Sequence, residues 1–172
     1  MPAVYDKAGL SFEYPESWLL EEGGQPDDTE ELGPSGGDAP AAARDADQPI
    51  SVTVHSPGGA FWTVMKYRGA SDPRRYLEAS VAAMREEYDN LDAEPAEESI
   101  RGHHLTGYDL NFFYLDLTNT THVRGVKTLG STLLIFCQAD DREWDRIEGV
   151  FRAMTASLLA GQERSREARL PR

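Results

Sequence analysis

Residues 105–118 read LTGYDLNFFYLDLT, and residues 132–139 read TLLIFCQA. Both runs are rich in the aromatic and branched side chains that favour strands. Successive side chains of a strand point to opposite faces. In the first run Leu110, Phe112 and Tyr114 therefore face one way and Phe113, Leu115 and Leu117 the other. No polar side is left between Leu110 and Leu117. The second run is again apolar on both faces. A sheet built from such strands needs cover on both sides, which predicts a sheet held between layers.

The segment between the two runs supplies turns. Asn119-Thr120 is placed to close a two-residue turn, which sets Tyr114 opposite Gly125 and Phe112 opposite Lys127. Leu129-Gly130-Ser131-Thr132 offers a second turn with glycine at its first central position, as a type II′ turn requires. The whole of 103–139 thus reads as a three-stranded meander.

Downstream, Asp140 and Glu143 have the spacing of a capping box. Trp144, Ile147, Phe151, Met154 and Leu158 then form one helical stripe, with Val150 beside it. Gly161 suits the stop, and 162–172 reads as a polar tail. Upstream, Asp72-Pro73 opens another helix whose seam is Leu77, Val81, Met84 and Tyr88. Residues 90–99, acidic and broken by Pro95, read as a loop. Residues 50–55 and 61–68 form strands around Ser56-Pro57-Gly58-Gly59. Near the start, Asp6-Lys7-Ala8-Gly9 is a turn, and Leu10 to Tyr14 alternates like a half-buried strand. A short strand begins around 17–20. Residues 23–49 are dominated by Gly, Pro, Asp, Glu and Ala, with Leu32 as the single large apolar residue. Such a segment buries too little surface to offset its ordering entropy, so we expect a disordered acidic insertion. The expected fold class is α+β: one domain over residues 1–161, its mainly antiparallel sheet flanked by helices on both faces.

The chain carries 172 residues and a formal net charge of -13. That charge disfavours nucleic acid and anionic membrane surfaces as partners. No apolar run is long enough to span a membrane, and no signal peptide is visible. A single cysteine, Cys137, leaves no internal disulfide and suits a reducing compartment, so a cytoplasmic location is expected. In its apolar run Cys137 reads as an inert core thiol.

Motifs for chemistry are sparse. His103 and His104 point to opposite faces, and no HExxH or paired-cysteine spacing occurs. With the Asn119-Thr120 turn, His122 falls opposite Leu117. No metal and no cofactor is expected. His104 and Tyr108 share a face near one strand end and are candidate lining for a pocket against the 72–88 helix; Asp109 points away. Arg124 is a candidate contact for an anionic group.

Several of these features together resemble one family. Gly9-Leu10-Ser11-Phe12-Glu13-Tyr14-Pro15-Glu16-Ser17-Trp18 resembles the opening of PsbP-like domains. The central helix, the aromatic strand, LLIFCQA and Phe151-x-x-Met154-x-x-Ser157-Leu158 look like the rest of that pattern. The resemblance implies an α/β/α sandwich. It also implies binding or assembly roles, as in photosystem II extrinsic subunits, Ran-binding Mog proteins and adaptor chaperones of secretion effectors. The leading expectation is therefore a non-enzymatic module whose partner is another protein. The alternatives are a small-molecule binder or weak hydrolase with a pocket near His104 and Tyr108, and an adaptor chaperone for secretion effectors.

Overall fold

The computed structural model of the chain describes residues 1–23 and 48–171. Most of the expected acidic insertion, 24–47, lies outside the described residues. The elements run β1 (Ala3–Lys7), β2 (Leu10–Tyr14), β3 (Leu19–Gly23), β4 (Ile50–His55), β5 (Phe61–Arg68) and α1 (Arg74–Glu87). They continue with β6 (Asp92–Ile100), β7 (His103–Tyr114), β8 (Leu117–Thr128), β9 (Ser131–Asp140) and α2 (Asp141–Arg169). A seven-stranded sheet has the order β3-β4-β5-β9-β8-β7-β6, and β1 and β2 form a separate ribbon. Every pairing is antiparallel.

Strand parity feeds two cores. Leu133, Ile135, Cys137 and Ala139 of β9 pack with Phe151, Met154, Leu158 and Leu159 of α2. Their neighbours Leu134 and Phe136 pack instead with Leu77 and Val81 of α1. The larger core centres on Trp62, which is fully buried. Its indole ring lies 4.8 Å from Phe12, and its Nε1–H donates to Thr155 Oγ1 at 3.1 Å. A buried indole needs such an acceptor, because an unpaired N–H in the core costs about 1–3 kcal/mol.

The helix starts follow their capping chemistry only in part: at α2 Asp140 caps, but the second oxygen of Glu143 is buried without a partner among the described residues, so the capping box is half formed. Asp140 Oδ1 accepts from the backbone N–H of Arg142 and Glu143 at 3.0 and 3.1 Å. Asp72 Oδ1 accepts from Arg74 N–H at 3.0 Å, one residue ahead of the expected capping geometry, with Pro73 at the cap position.

Four expectations are corrected. The first hairpin turns at Leu115-Asp116, where both residues take positive φ (50° and 61°), the backbone of a type I′ turn. Neither residue type announces that geometry, so the asparagine drew the reading downstream. Tyr114 consequently faces Leu117, Phe112 faces Asn119, and His122 faces Asp109. The second turn is Leu129-Gly130, closed by the Thr128–Ser131 pair, so Gly130 (φ 79°) is its second central residue. Residues 92–100 form β6 rather than a loop. The strand lies at the edge of the sheet, where Pro95 removes no interior ladder bond and carboxylates stay wet.

The last correction concerns Gly161. α2 does not stop there but runs on to Arg169. Gly161 is buried at the crossing of α2 over β2, and a methyl group there would run into the carbonyl oxygen of Ser11. Alanine ordinarily favours a helix over glycine by about 1 kcal/mol. Here we expect Gly161→Ala to destabilise by about 1–2 kcal/mol, because overpacking against backbone outweighs propensity. Urea unfolding checks this; a stabilised variant would show that α2 can lift off the ribbon without loss.

Candidate functional site

The three sequence-predicted residues do not converge. Tyr108 sits half-buried beneath α1 and, with Arg74, Leu77, Pro95, Glu97 and Thr106, lines a groove of about 410 Å³. His104 stands at the margin, its Nε2 3.6 Å from Glu97 Oε1. Arg124 pairs with Gly107 across the β7–β8 ladder, so its side chain leaves from the opposite face to Tyr108.

On that other face, under α2, the Arg124 side chain is 8% exposed and four of its five N–H donors are engaged. Nε donates to Glu98 Oε1 at 2.8 Å and Nη2 to Asp109 Oδ1 at 2.7 Å. Nη1 donates to the carbonyls of Tyr108 and Val123 at 3.0 and 3.1 Å. Arg152 Nη1 donates to the second oxygen of Glu98 at 3.1 Å. His122 Nε2 lies 3.4 Å from Asp109 Oδ1, and its ring meets Trp144 edge-on at 4.5 Å. Cys137 is buried nearby, and burial pushes its thiol well above the ordinary range. A thiol held protonated is a poor nucleophile. This network ties β6, β7, β8 and α2 together. The sequence reading missed it because the misplaced turn set His122 opposite Leu117 instead of Asp109. Among the described residues, no group of three His, Cys, Asp or Glu is placed to hold a metal ion. No helix among them is long and apolar enough to cross a membrane.

Burial holds His122 below the ordinary histidine range, against the opposing pull of Asp109. The unfolded chain therefore binds a proton on His122 more readily than the folded one, and folding stability falls as pH drops below about 6.5. We expect His122→Gln to remove this part of the acid-side slope in unfolding measured between pH 7 and 5. An unchanged slope would mean that other groups carry it.

A different feature stands out at the β7–β8 turn. Phe113, Tyr114 and Leu115 are 66%, 48% and 76% exposed. Tyr114 is propped edge-on against Tyr88, whose other contact is a stacked Phe112 at 4.2 Å. Tyr88 is the C-cap residue of α1, so helix and hairpin together fix the tip. Leucine at a positive φ is an uncommon and strained choice. An isolated exposed leucine needs no explanation, but three consecutive apolar residues on a strained turn form a built surface. A larger groove lies elsewhere, about 750 Å³ between Tyr14–Ser17 and the Gly149–Met154 stretch of α2.

No protein-family model and no curated protein matches this sequence. Solved structures do. Cyanobacterial PsbP from Synechocystis sp. PCC 6803 aligns over 91% of this chain and 90% of its own, at 12% identity and a TM-score of 0.54. A Bacteroides thetaiotaomicron protein aligns over 91% of this chain and 46% of its own, at 11% identity and a TM-score of 0.50. A Pseudomonas aeruginosa protein of unknown function aligns over 99% of this chain and 97% of its own, at 12% identity and a TM-score of 0.43. With the antiparallel sheet, the two helices and the N-terminal ribbon in place, the chain has a PsbP-like fold.

Proposed function

We propose that this chain is a non-enzymatic protein-binding or assembly module, cytoplasmic, with its sheet covered by a helix on each face. The partner is another protein, engaged through the β7–β8 tip. The observation that carries this reading is the exposed run Phe113-Tyr114-Leu115 on a turn with two left-handed residues. Aromatic anchors dominate binding energy at protein interfaces, and backbone strain persists where function requires it. The chain's charge of -13, with Asp116 in the turn itself, favours a partner whose apolar pocket is rimmed by lysine or arginine.

The turn also supplies the test. Leu115→Asn with Asp116→Gly installs the residues that type I′ turns prefer. We expect the free protein to gain about 1 kcal/mol of stability, since positive φ then carries no strain. Photo-crosslinking from position 113 in host cells is expected to give one discrete adduct that the double variant loses. The same crosslinker at Leu129, 60% exposed on the other turn, should give none. Equal adducts from both positions, or full retention in the stabilised variant, would sink the reading.

The groove beside Tyr108 favours a second reading, a small-molecule binder or weak hydrolase. There Tyr108 and Glu97 offer polar contacts over an apolar floor from Leu77 and Pro95, and His104 lies beside Glu97 just outside the lining. A metabolite that raises the melting temperature of the native chain but not of Tyr108→Phe with His104→Ala would support it. Arg124, on the far face, takes no part in that groove.

A further inference from the structure

The chain is strongly acidic, yet one hollow on it gathers only cations. It measures about 440 Å³ and lies where the end of β5, the Leu129-Gly130 turn, the Gly9 turn and the last turns of α2 meet. Lys66, Arg68, Arg166 and Arg169 line it with Ser131, Ser165, Gln48 and Gln162, and no carboxylate is among its described lining residues. Among the described residues, none of these four cations forms an ion pair.

The α2 dipole accounts for part of this. Cations at a helix C-terminus are favourable, which suits Arg166 and Arg169. It does not account for Lys66 and Arg68, which come from another element and add to the repulsion. Lys66 Nζ is fixed by donating to the Ala8 carbonyl at 2.9 Å. Gln162 Nε2 donates to the Gly9 carbonyl at 2.8 Å, which ties the ribbon turn to the helix over the hollow. Burial, and then the Arg169 charge, hold the Lys66 ammonium below the ordinary lysine range. A pocket that crowds unpaired cations is set up for an anion that relieves them.

We propose that this hollow binds a compact phosphate-bearing small molecule. Its volume is that of a small-ligand site. Arginine forks and a lysine point charge are the usual partners of phosphate oxygens, and Ser131 and Ser165 add hydroxyl donors. A long polyanion does not fit, because its remaining charges would lie over a surface with a net charge of -13. The site is separate from the β7–β8 tip and does not depend on the proposed function.

Calorimetric titration of the full chain with inorganic phosphate, pyrophosphate and a sugar phosphomonoester tests this. Saturable binding of at least one is expected, weakening as salt rises from low to physiological strength. Arg166→Gln with Arg169→Gln, both exposed and remote from the core, should keep the melting temperature and weaken binding by about tenfold or more. Arg142→Gln, at the opposite end of α2, should change nothing. Pyrophosphate preferred over the ester marks a free phosphate site, and the reverse order marks a phosphorylated metabolite. Absence of binding to all three probes, equal binding by the double variant, or tighter binding of a single-stranded oligonucleotide would each overturn the proposal.

Discussion

Replacing Gly107 with alanine is expected to lower the unfolding free energy by about 3 kcal/mol, at the upper end of overpacking penalties. Gly107 sits on β7, the strand next to the sheet edge, paired on both sides with Ala96 on β6 and Arg124 on β8. A Cβ there would collide with the Val123 carbonyl and lie 3.1 Å from the Arg124 Cα. Both obstacles are backbone, so neither can swing aside as a side chain would. The only relief is to part β7 from β8, which also disturbs the Arg124 contacts. Equilibrium urea unfolding gives the number, and a loss under 1 kcal/mol would mean that the ladder accommodates the methyl group by a small shift.

Arg124→Met is expected to cost about 2–3 kcal/mol. The methionine keeps most of the apolar stem but leaves Glu98 and Asp109 without their shared cation, and two carbonyls without a donor. Removing one member of a fully buried pair costs about 3–5 kcal/mol. Glu98 and Asp109 are 27% and 38% exposed, and solvent screening lowers the expected figure. The loss should come from abandoned charges rather than from lost packing. Adding Glu98→Gln and Asp109→Asn to Arg124→Met should therefore recover at least half of it. Failure to recover would assign the loss to shape. Arg124 and Gly107 face each other, so their two substitutions should fall short of additivity in a double-mutant cycle.

The particular errors of the sequence reading explain how much of the fold it could reach. Side-chain alternation in LLIFCQA sent Leu133 and Ile135 to one core and Leu134 and Phe136 to the other, as parity implies. The hairpin turns at Leu115-Asp116 rather than at Asn119-Thr120, yet the partner of Tyr114 shifts from Gly125 to Leu117, an even number of residues away. An even slip leaves every side chain on its own face. Faces therefore survived, while neighbours did not. That is why parity alone places His104 and Tyr108 on one face, and why the His122–Asp109 pair is not legible in the sequence. The bonding of Arg124 is equally hidden, since three of its four acceptors come from β6 and β7. The exposed tip was misjudged for a related reason: Phe113 and Leu115 looked like core until the turn fell beside them. β6 had no signal at all, because acid and proline suit a loop and an edge equally well.

Among the described residues the two outermost strands of the sheet are β3 and β6, which carry Glu21, Glu22, Asp92, Glu94 and Glu97 besides the ion-paired Glu98. An unpaired strand edge is a template on which another chain can polymerise, and closely spaced like charges make stacking of identical edges repulsive. Part of the acidity of this protein thus lies along the sheet's outer strands, where self-association would begin. It gives the molecule colloidal protection at neutral pH and withdraws it when the carboxylates are neutralised by acid.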